Sequence, residues 1–305
     1  MRQRLEYIIV LVLVRGMGAL PRSWARALGA GFGAFAYAFT GRLRRTGERN
    51  LQIAYPQSEY SQTDAAWRRR VLRELYRNLG FHLAEFCRMP HYTRESTRSF
   101  IRYAGLEHYL AAREEGRGVL VVTGHLGQWE LSSFYHSLMG YPMSMVIRRL
   151  DNPLVDRLVN SIRCMHGNTV LHKDDFARGL LGAMRKGDTV GILMDTNMTP
   201  PQGVFVDFFG TPACTASGLA RVAMRTRAAV LPGFLTWREE EKKYVLEFGN
   251  RLELVCSGND EQDIVTNTQI CTTAIEEWIR RFPEQWLWVH RRWKTRPPGE
   301  SSLYS

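Results

Sequence analysis

The sequence predicts an α/β protein: a mostly parallel central sheet flanked by helices, preceded by N-terminal helices that associate with a membrane. Three observations carry that expectation. From residue 118 onward, short apolar runs alternate with stretches of helical periodicity, the rhythm of strands joined by crossover helices. Residues 64–89 form one long amphipathic segment ended by Pro90. The first forty residues are apolar, rich in Gly and Ala, and bracketed by arginines.

Within the N-terminal region, residues 7–14 are strongly apolar before Arg15 interrupts them. A bilayer span needs about 20 such residues, and no Ala-x-Ala-like cleavage site follows. Residues 25–39 bring a second apolar stretch with Leu28, Phe32, Phe35, Tyr37 and Phe39. Arg2, Arg4, Arg22, Arg42, Arg44 and Arg45 flank the two stretches, which together read as a hairpin that enters or lies on a bilayer. A buried helical hairpin would share the pattern. Residues 1–45 are accordingly assigned as anchor and 46–305 as one α/β domain.

In residues 64–89, Trp67, Val71, Leu75, Leu79, Leu83 and Phe86 recur at helical spacing, with Arg68, Arg69, Arg70, Arg73 and Arg77 on the remainder. Beyond it, strands are expected at 118–123, 143–147, 169–171, 189–193 and 228–234. Helices are expected at 130–139, 152–166, 176–185 and 217–227. A hairpin of 244–248 and 251–255 around Gly249-Asn250 supplies an antiparallel edge, and a helix over 260–282 closes the chain.

The formal net charge is +11, and residues 1–90 hold fifteen Arg, no Lys and six acidic residues. So basic a segment suits an anionic partner, lipid surface or nucleic acid. Five scattered cysteines (Cys87, Cys164, Cys214, Cys256, Cys271) include no C-x-x-C pair, which indicates neither a zinc site nor a disulfide framework. His82, His91, His108, His136, His166 and His172 lack metal-ligand spacing, so no metal is expected. Neither a Gly-x-Ser-x-Gly elbow nor a P-loop occurs, which removes support for serine and nucleotide hydrolases.

The chemistry gathers in Gly124-His125-Leu-Gly-Gln-Trp-Glu130, where an apolar strand gives way to a helix through two glycines. Active sites in open α/β sheets collect at the carboxyl ends of strands. The positive end of the following helix keeps an imidazole there neutral. His125 and Glu130 lie five residues apart, about 140° around a continuous helix. They meet only if His125 sits in the turn, where Glu130 would bond one ring nitrogen and leave the other to take a hydroxyl proton. His-x4-Glu spacing by itself is common, and the junction is what singles it out.

This segment resembles the His-x4-Asp/Glu motif of glycerolipid acyltransferases, and is most similar to the late acyltransferases of lipid A biosynthesis and the related phosphatidylinositol mannoside acyltransferases. Further segments match in order. Asn50-Leu-Gln-Ile-Ala-Tyr-Pro56 resembles an early signature, and Arg148 with Asp151-Asn-Pro-Leu154 the block after the second strand. Arg163 with Gly167, and Leu193-Met-Asp195 followed by Val-Phe-Val-Asp-Phe-Phe-Gly210, resemble later ones. Pro283-Glu-Gln-Trp-Leu-Trp-Val-His-Arg-Arg-Trp-Lys-Thr-Arg-Pro297 resembles the closing signature. The likeness runs from about residue 6 to 297.

The resemblance implies a glycerolipid acyltransferase-like fold and an O-acyltransferase that makes lipid A, the glycolipid of lipopolysaccharide. His125 would be the general base and Glu130 its orienting partner. The donor would be an acyl thioester, of acyl carrier protein or coenzyme A, with no cofactor. The acceptor would be a hydroxyl of a lipid A precursor or similar glycolipid. Arg148, Arg163 and Arg178 would contact phosphate. Asp195 would be a supporting residue, though a turn cap reads the same. Residues 204–209 would line an acyl channel or form a core strand. The partners would be membrane lipids and the acyl donor, without nucleic acid, at the cytoplasmic face of a bacterial inner membrane. Thr196-Asn-Met after Asp195 departs from the family's acidic or Gln-containing continuation, which bears on the acceptor. Two other readings of the fold are another phospholipid acceptor and a lipid-binding protein without turnover. A third lets water replace the acceptor, giving a thioesterase.

Overall fold

A computed structural model describes residues 1–56, 63–172 and 176–304. Four helices lead: α1 (Arg2–Ala19), α2 (Arg22–Phe39), α3 (Gly41–Ala54) and α4 (Ala65–Arg88). Asp64 caps α4 by accepting from Trp67 N at 2.7 Å. There follow α5 (Arg94–Arg98), β1 (Ile101–Ala104), α6 (Leu106–Glu114), β2 (Val119–Thr123), α7 (Trp129–Leu138), β3 (Ser144–Ile147) and α8 (Pro153–Arg163). Then come β4 (Thr169–His172), α9 (Phe176–Arg185), β5 (Thr189–Leu193), β6 (Gly203–Phe208), β7 (Thr211–Ala216) and α10 (Gly218–Thr226). β8 (Ala229–Arg238), β9 (Lys243–Phe248) and α11 (Asp260–Arg281) complete the order.

The seven-stranded sheet runs β1-β9-β8-β2-β5-β3-β4. β8, β2, β5, β3 and β4 are mutually parallel, β9 is antiparallel to β8, and β1 is parallel to β9. β2 lies at the centre, and its Val-Leu-Val-Val run is buried on both faces, as a strand covered on each side requires. Leu120 and Val122 face one core with α10 and α11, whereas Val119 and Val121 face another with α4, α6 and α7.

The expected hairpin around Gly249-Asn250 does not form. β9 instead turns back on β8 through residues 239–242, with Arg238 opposite Lys243 and Gly233 opposite Phe248. The chain after β9 stays against β8, with Gly249 N donating to Pro232 O at 2.9 Å and Leu252 N to Val230 O at 2.7 Å. The Asn267 side chain of α11 then takes Val255, accepting from its N at 2.7 Å and donating to its O at 2.8 Å. β6 and β7 make a separate antiparallel hairpin tied to α11, by Asp207 N to Gln269 at 2.6 Å and Phe209 N to Glu276 at 2.6 Å.

The boundary expected at residue 45 falls inside α3, and α2 packs closely on α4. Gly29 and Gly80 face each other so tightly that a Cβ on either would come within 2.2 Å of the other's carbonyl oxygen. Arg22 was expected to flank the bilayer. Together with Arg26 it reaches inward to the fully buried Glu85 of α4, at 2.6 and 2.8 Å, and Tyr92 also donates to that carboxylate. An ionised carboxylate withdrawn from water needs such partners. Arg68 is also buried, against Glu48 at 2.7 Å. Among the described residues, no helix is long and apolar enough to cross a membrane.

What α1 and α2 leave uncovered is apolar. Leu5, Ile8, Ile9 and Val12 stand exposed on α1, at the 3–4-residue steps that align along one helix face. On α2 the exposed stripe is Trp24, Leu28, Phe32, Phe35 and Phe39.

Candidate active site

The register of two parallel strands builds the site. Thr123 ends β2 opposite Leu193, the last residue of β5. Two residues past each strand end come His125 and Asp195, side by side for that reason. The Asp195 carboxylate accepts from His125 Nδ1 at 2.8 Å, from the His125 backbone N at 2.6 Å and from Trp286 Nε1 at 2.8 Å. Gly124 permits the approach, since a Cβ there would stand 2.9 Å from the carboxylate carbon. Gly127 turns the chain at φ +65°, against Leu235 O, a backbone region glycine enters freely.

Asp195 is buried. Burial alone would raise its pKa, but the His125 ring and the three donors overcome that and hold it at about 2. It is therefore ionised at neutral pH and fixes the proton of His125 on Nδ1.

The expected bond from Glu130 to the ring is absent. Glu130 sits in the first turn of α7, and Arg163, the last residue of α8, engages both its oxygens, with Nε donating at 2.8 Å and a second nitrogen closing the fork. Burial would lower the Arg163 pKa; the Glu130 pair raises it instead. Trp129 joins this pair to the histidine: its ring meets His125 edge-on at 5.2 Å and stacks on His82 at 3.8 Å. Burial, with His125 and Arg163 nearby, brings His82 down to about 4, against the pull of Glu130. Its ring is thus a neutral support for Trp129.

Glu130 and Arg163 line a groove whose other walls are mainly apolar, including Val121, Met145, Ile147 and Leu193. The 204–209 segment lies on the α11 side, away from it. Arg148 and Arg178 do not join the cluster. Arg148 follows β3 into solvent and pairs with Asp151 at 2.8 Å, and Arg178 is exposed on α9.

The closing segment underlies the site. Leu287 N donates to His125 O at 3.1 Å, and Gly127 N to Gln285 O at 3.0 Å. Asn50 holds this segment by donating to Trp288 O at 2.5 Å and His290 O at 2.6 Å. Arg292, fully buried, donates to Cys214 O at 2.9 Å and to Thr215; burial lowers it to about 10. Asn50 and Trp286 lie in the 50–56 and 283–297 segments, where nothing local in the sequence reveals these partners. His82 was set aside for want of ligand spacing, which says nothing of stacking. Among the described residues no cluster suited to a metal occurs.

A family model described as bacterial lipid A biosynthesis acyltransferase matches residues 2–295. The chain is 29% identical over 278 residues to the lipid A biosynthesis palmitoleoyltransferase of Escherichia coli strain K12, covering 91% of this chain and 87% of that one. It is 29% identical over 286 residues to the lauroyltransferase of the same strain, with 93% and 90% covered. Against the myristoyltransferase of that strain the identity is 22% over 270 residues, with 87% and 81% covered.

Proposed function

Because the chain belongs to the bacterial lipid A biosynthesis acyltransferase family, we propose that it carries an acyl group from a thioester of acyl carrier protein or coenzyme A to a hydroxyl of a lipid A precursor, with His125 as general base. The observation that carries this reading is the 2.8 Å bond from His125 Nδ1 to a buried, ionised Asp195. A carboxylate in that position keeps the proton on Nδ1 and stabilises the imidazolium that forms.

The steps follow from that tautomer. Nε2 takes the proton of the acceptor hydroxyl as its oxygen adds to the thioester carbon. The carbonyl pair moves onto oxygen and returns as the carbon–sulfur bond breaks. The departing thiolate recovers the proton from His125. The apolar groove beside Trp129, about 60 Å³ as it stands, would have to widen to take the acyl chain. Glu130 contributes through Arg163, balancing a cation at the groove mouth and aiming its remaining donors at substrate anions.

Membrane attachment belongs to the same reading. The exposed stripes of α1 and α2 would bury in the outer part of a leaflet, with the exposed Arg42, Arg45, Arg69 and Arg73 at headgroup level. Residues 1–45 then serve as the docking part and the remainder works at the cytoplasmic face of the inner membrane.

The test is transfer from labelled lauroyl-coenzyme A and lauroyl-acyl carrier protein to a lipid A precursor, by the wild type and His125→Ala. Transfer abolished by the substitution supports the reading. Lipid binding without transfer in the wild type would make the chain a binding protein, and label released only to water would make it a thioesterase.

A further inference from the structure

The segment Asp195-Thr196-Asn197 holds two imidazoles, not one, and holds them in opposite tautomers. At its start, Asp195 accepts the Nδ1 proton of His125, which leaves Nε2 as the basic nitrogen. Two residues later, the Asn197 backbone N donates to His290 Nε2 at 2.9 Å. A ring nitrogen that accepts bears no proton, so a neutral His290 carries its hydrogen on Nδ1.

That contact is held firmly. Asn197 Nδ2 donates to Thr295 Oγ1 at 3.0 Å and Thr295 N returns to Asn197 Oδ1 at 2.9 Å, so the two segments are clamped on either side of the ring. Asn50 fixes the His290 carbonyl at 2.6 Å. Leu287, whose N binds the His125 carbonyl, accepts from His290 N at 3.3 Å. Among the described residues Nδ1 of His290 has no acceptor, and the ring is only partly buried. The His290 ring is thus fixed with its N–H on Nδ1, close enough to His125 to feel its charge. Burial lowers the His290 pKa and nearby Arg292 and His125 add to this, against Asp195, which keeps the ring neutral.

We propose that His290 is a catalytic residue, donating its Nδ1–H to the thioester carbonyl oxygen as that oxygen becomes negative. The inference rests on His125 being the base. No bond to His290 forms or breaks. The hydroxyl proton goes to His125 and the carbonyl electron pair to oxygen, which accepts the hydrogen bond. When the carbonyl re-forms, the thiolate leaves and takes the proton back. A neutral imidazole acting as electrophile in this way has precedent in other folds.

The experiment is steady-state transfer of lauroyl from lauroyl-coenzyme A to a lipid A precursor by the full chain in detergent. His290→Ala is expected to lower kcat by about 10²–10³, as loss of one such donor does elsewhere, with KM within about threefold. His290→Asn, whose amide N–H falls where Nδ1–H does, is expected to recover about tenfold of that loss. A folded His290→Ala with kcat within about threefold of wild type overturns the inference, as does equal loss in both variants tracking a fall in melting temperature. His125→Ala in parallel separates the two readings: its full activity would remove the base, whereas an inactive His125→Ala beside an active His290→Ala removes only this donor. If His290→Ala does not fold, ¹⁵N-histidine spectra of the wild type decide. An Nδ1–H resonance that moves on adding a lauroyl methyl-ketone analogue of coenzyme A supports the inference, and an unmoved or Nε2–H resonance overturns it.

Discussion

Replacing Asp195 by Asn keeps its size and removes its charge, and three donors then meet an amide. Oδ2 serves the His125 backbone N at 2.6 Å and Trp286 Nε1 at 2.8 Å, whereas Oδ1 serves His125 Nδ1 at 2.8 Å. The amide oxygen will stay with the two donors that cannot change, and its NH₂ will face Nδ1. The ring answers by moving its proton to Nε2, which removes the lone pair proposed to accept the hydroxyl proton. The same change in serine-protease triads costs ~10⁴ in kcat, about 5.5 kcal/mol of barrier at 1.36 per tenfold. We expect kcat to fall by about 10³–10⁴ with the donor KM little changed. Acid stability changes too. The Asp195 pKa is lowered from 3.8 to about 2, so its contribution is present above pH 4 and is lost as pH falls through about 2. The difference amounts to on the order of 2 kcal/mol. Acyl-transfer kinetics and urea melts between pH 2 and 7 measure both effects. A folded Asp195→Asn within tenfold of wild-type kcat would refute the orienting role.

Other changes test other parts. Glu85→Ala leaves Arg22 and Arg26 facing a void where they had a buried carboxylate, and is expected to cost about 3–5 kcal/mol in urea melts. Gly127→Ala forces a Cβ to 2.1 Å from Leu235 O at φ +65°, so thermal melting should show a loss of about 1–3 kcal/mol, with activity falling as the His125 turn shifts. Phe35→Asp combined with Phe39→Asp removes two exposed rings, each worth roughly 1.5–3 kcal/mol when buried in lipid. Sedimentation with anionic vesicles should drop by tenfold or more, while activity on detergent-dispersed substrate stays within about twofold. Arg163→Ala leaves Glu130 without its fork, and the expected signature is a higher acceptor KM in transfer kinetics with a smaller effect on kcat.

The strand–helix alternation of the catalytic domain was legible because buried parallel strands are short, continuous apolar runs. His125 was legible because two glycines break such a run just before a helix. Its carboxylate partner was not. Asp195 lies 70 residues away, and only the β2–β5 register brings it near, whereas Glu130 was close in sequence and turned elsewhere because Arg163 offered it two donors. The missing 251–255 strand has a similar cause: an extended apolar segment looks the same whether its backbone meets one carbonyl of a strand, as Leu252 N meets Val230 O, or a side chain, as Val255 meets Asn267. Arg22 looked like headgroup decoration because nothing local reveals that Glu85 is buried across from it.

The clamp from Asn50 to the carbonyl of His290 spans 240 residues and has a consequence for the timing of synthesis. At roughly 5–20 residues per second, Asn50 leaves the ribosome about ten to fifty seconds before the segment it must grip. During that interval the greasy faces of α1 and α2 are already available to a bilayer, while the floor beneath His125 does not yet exist. On the proposed reading the nascent chain would meet a membrane surface as an inert precursor, and would gain chemical competence only when residues 285–290 fold back onto Asn50 and the His125 turn.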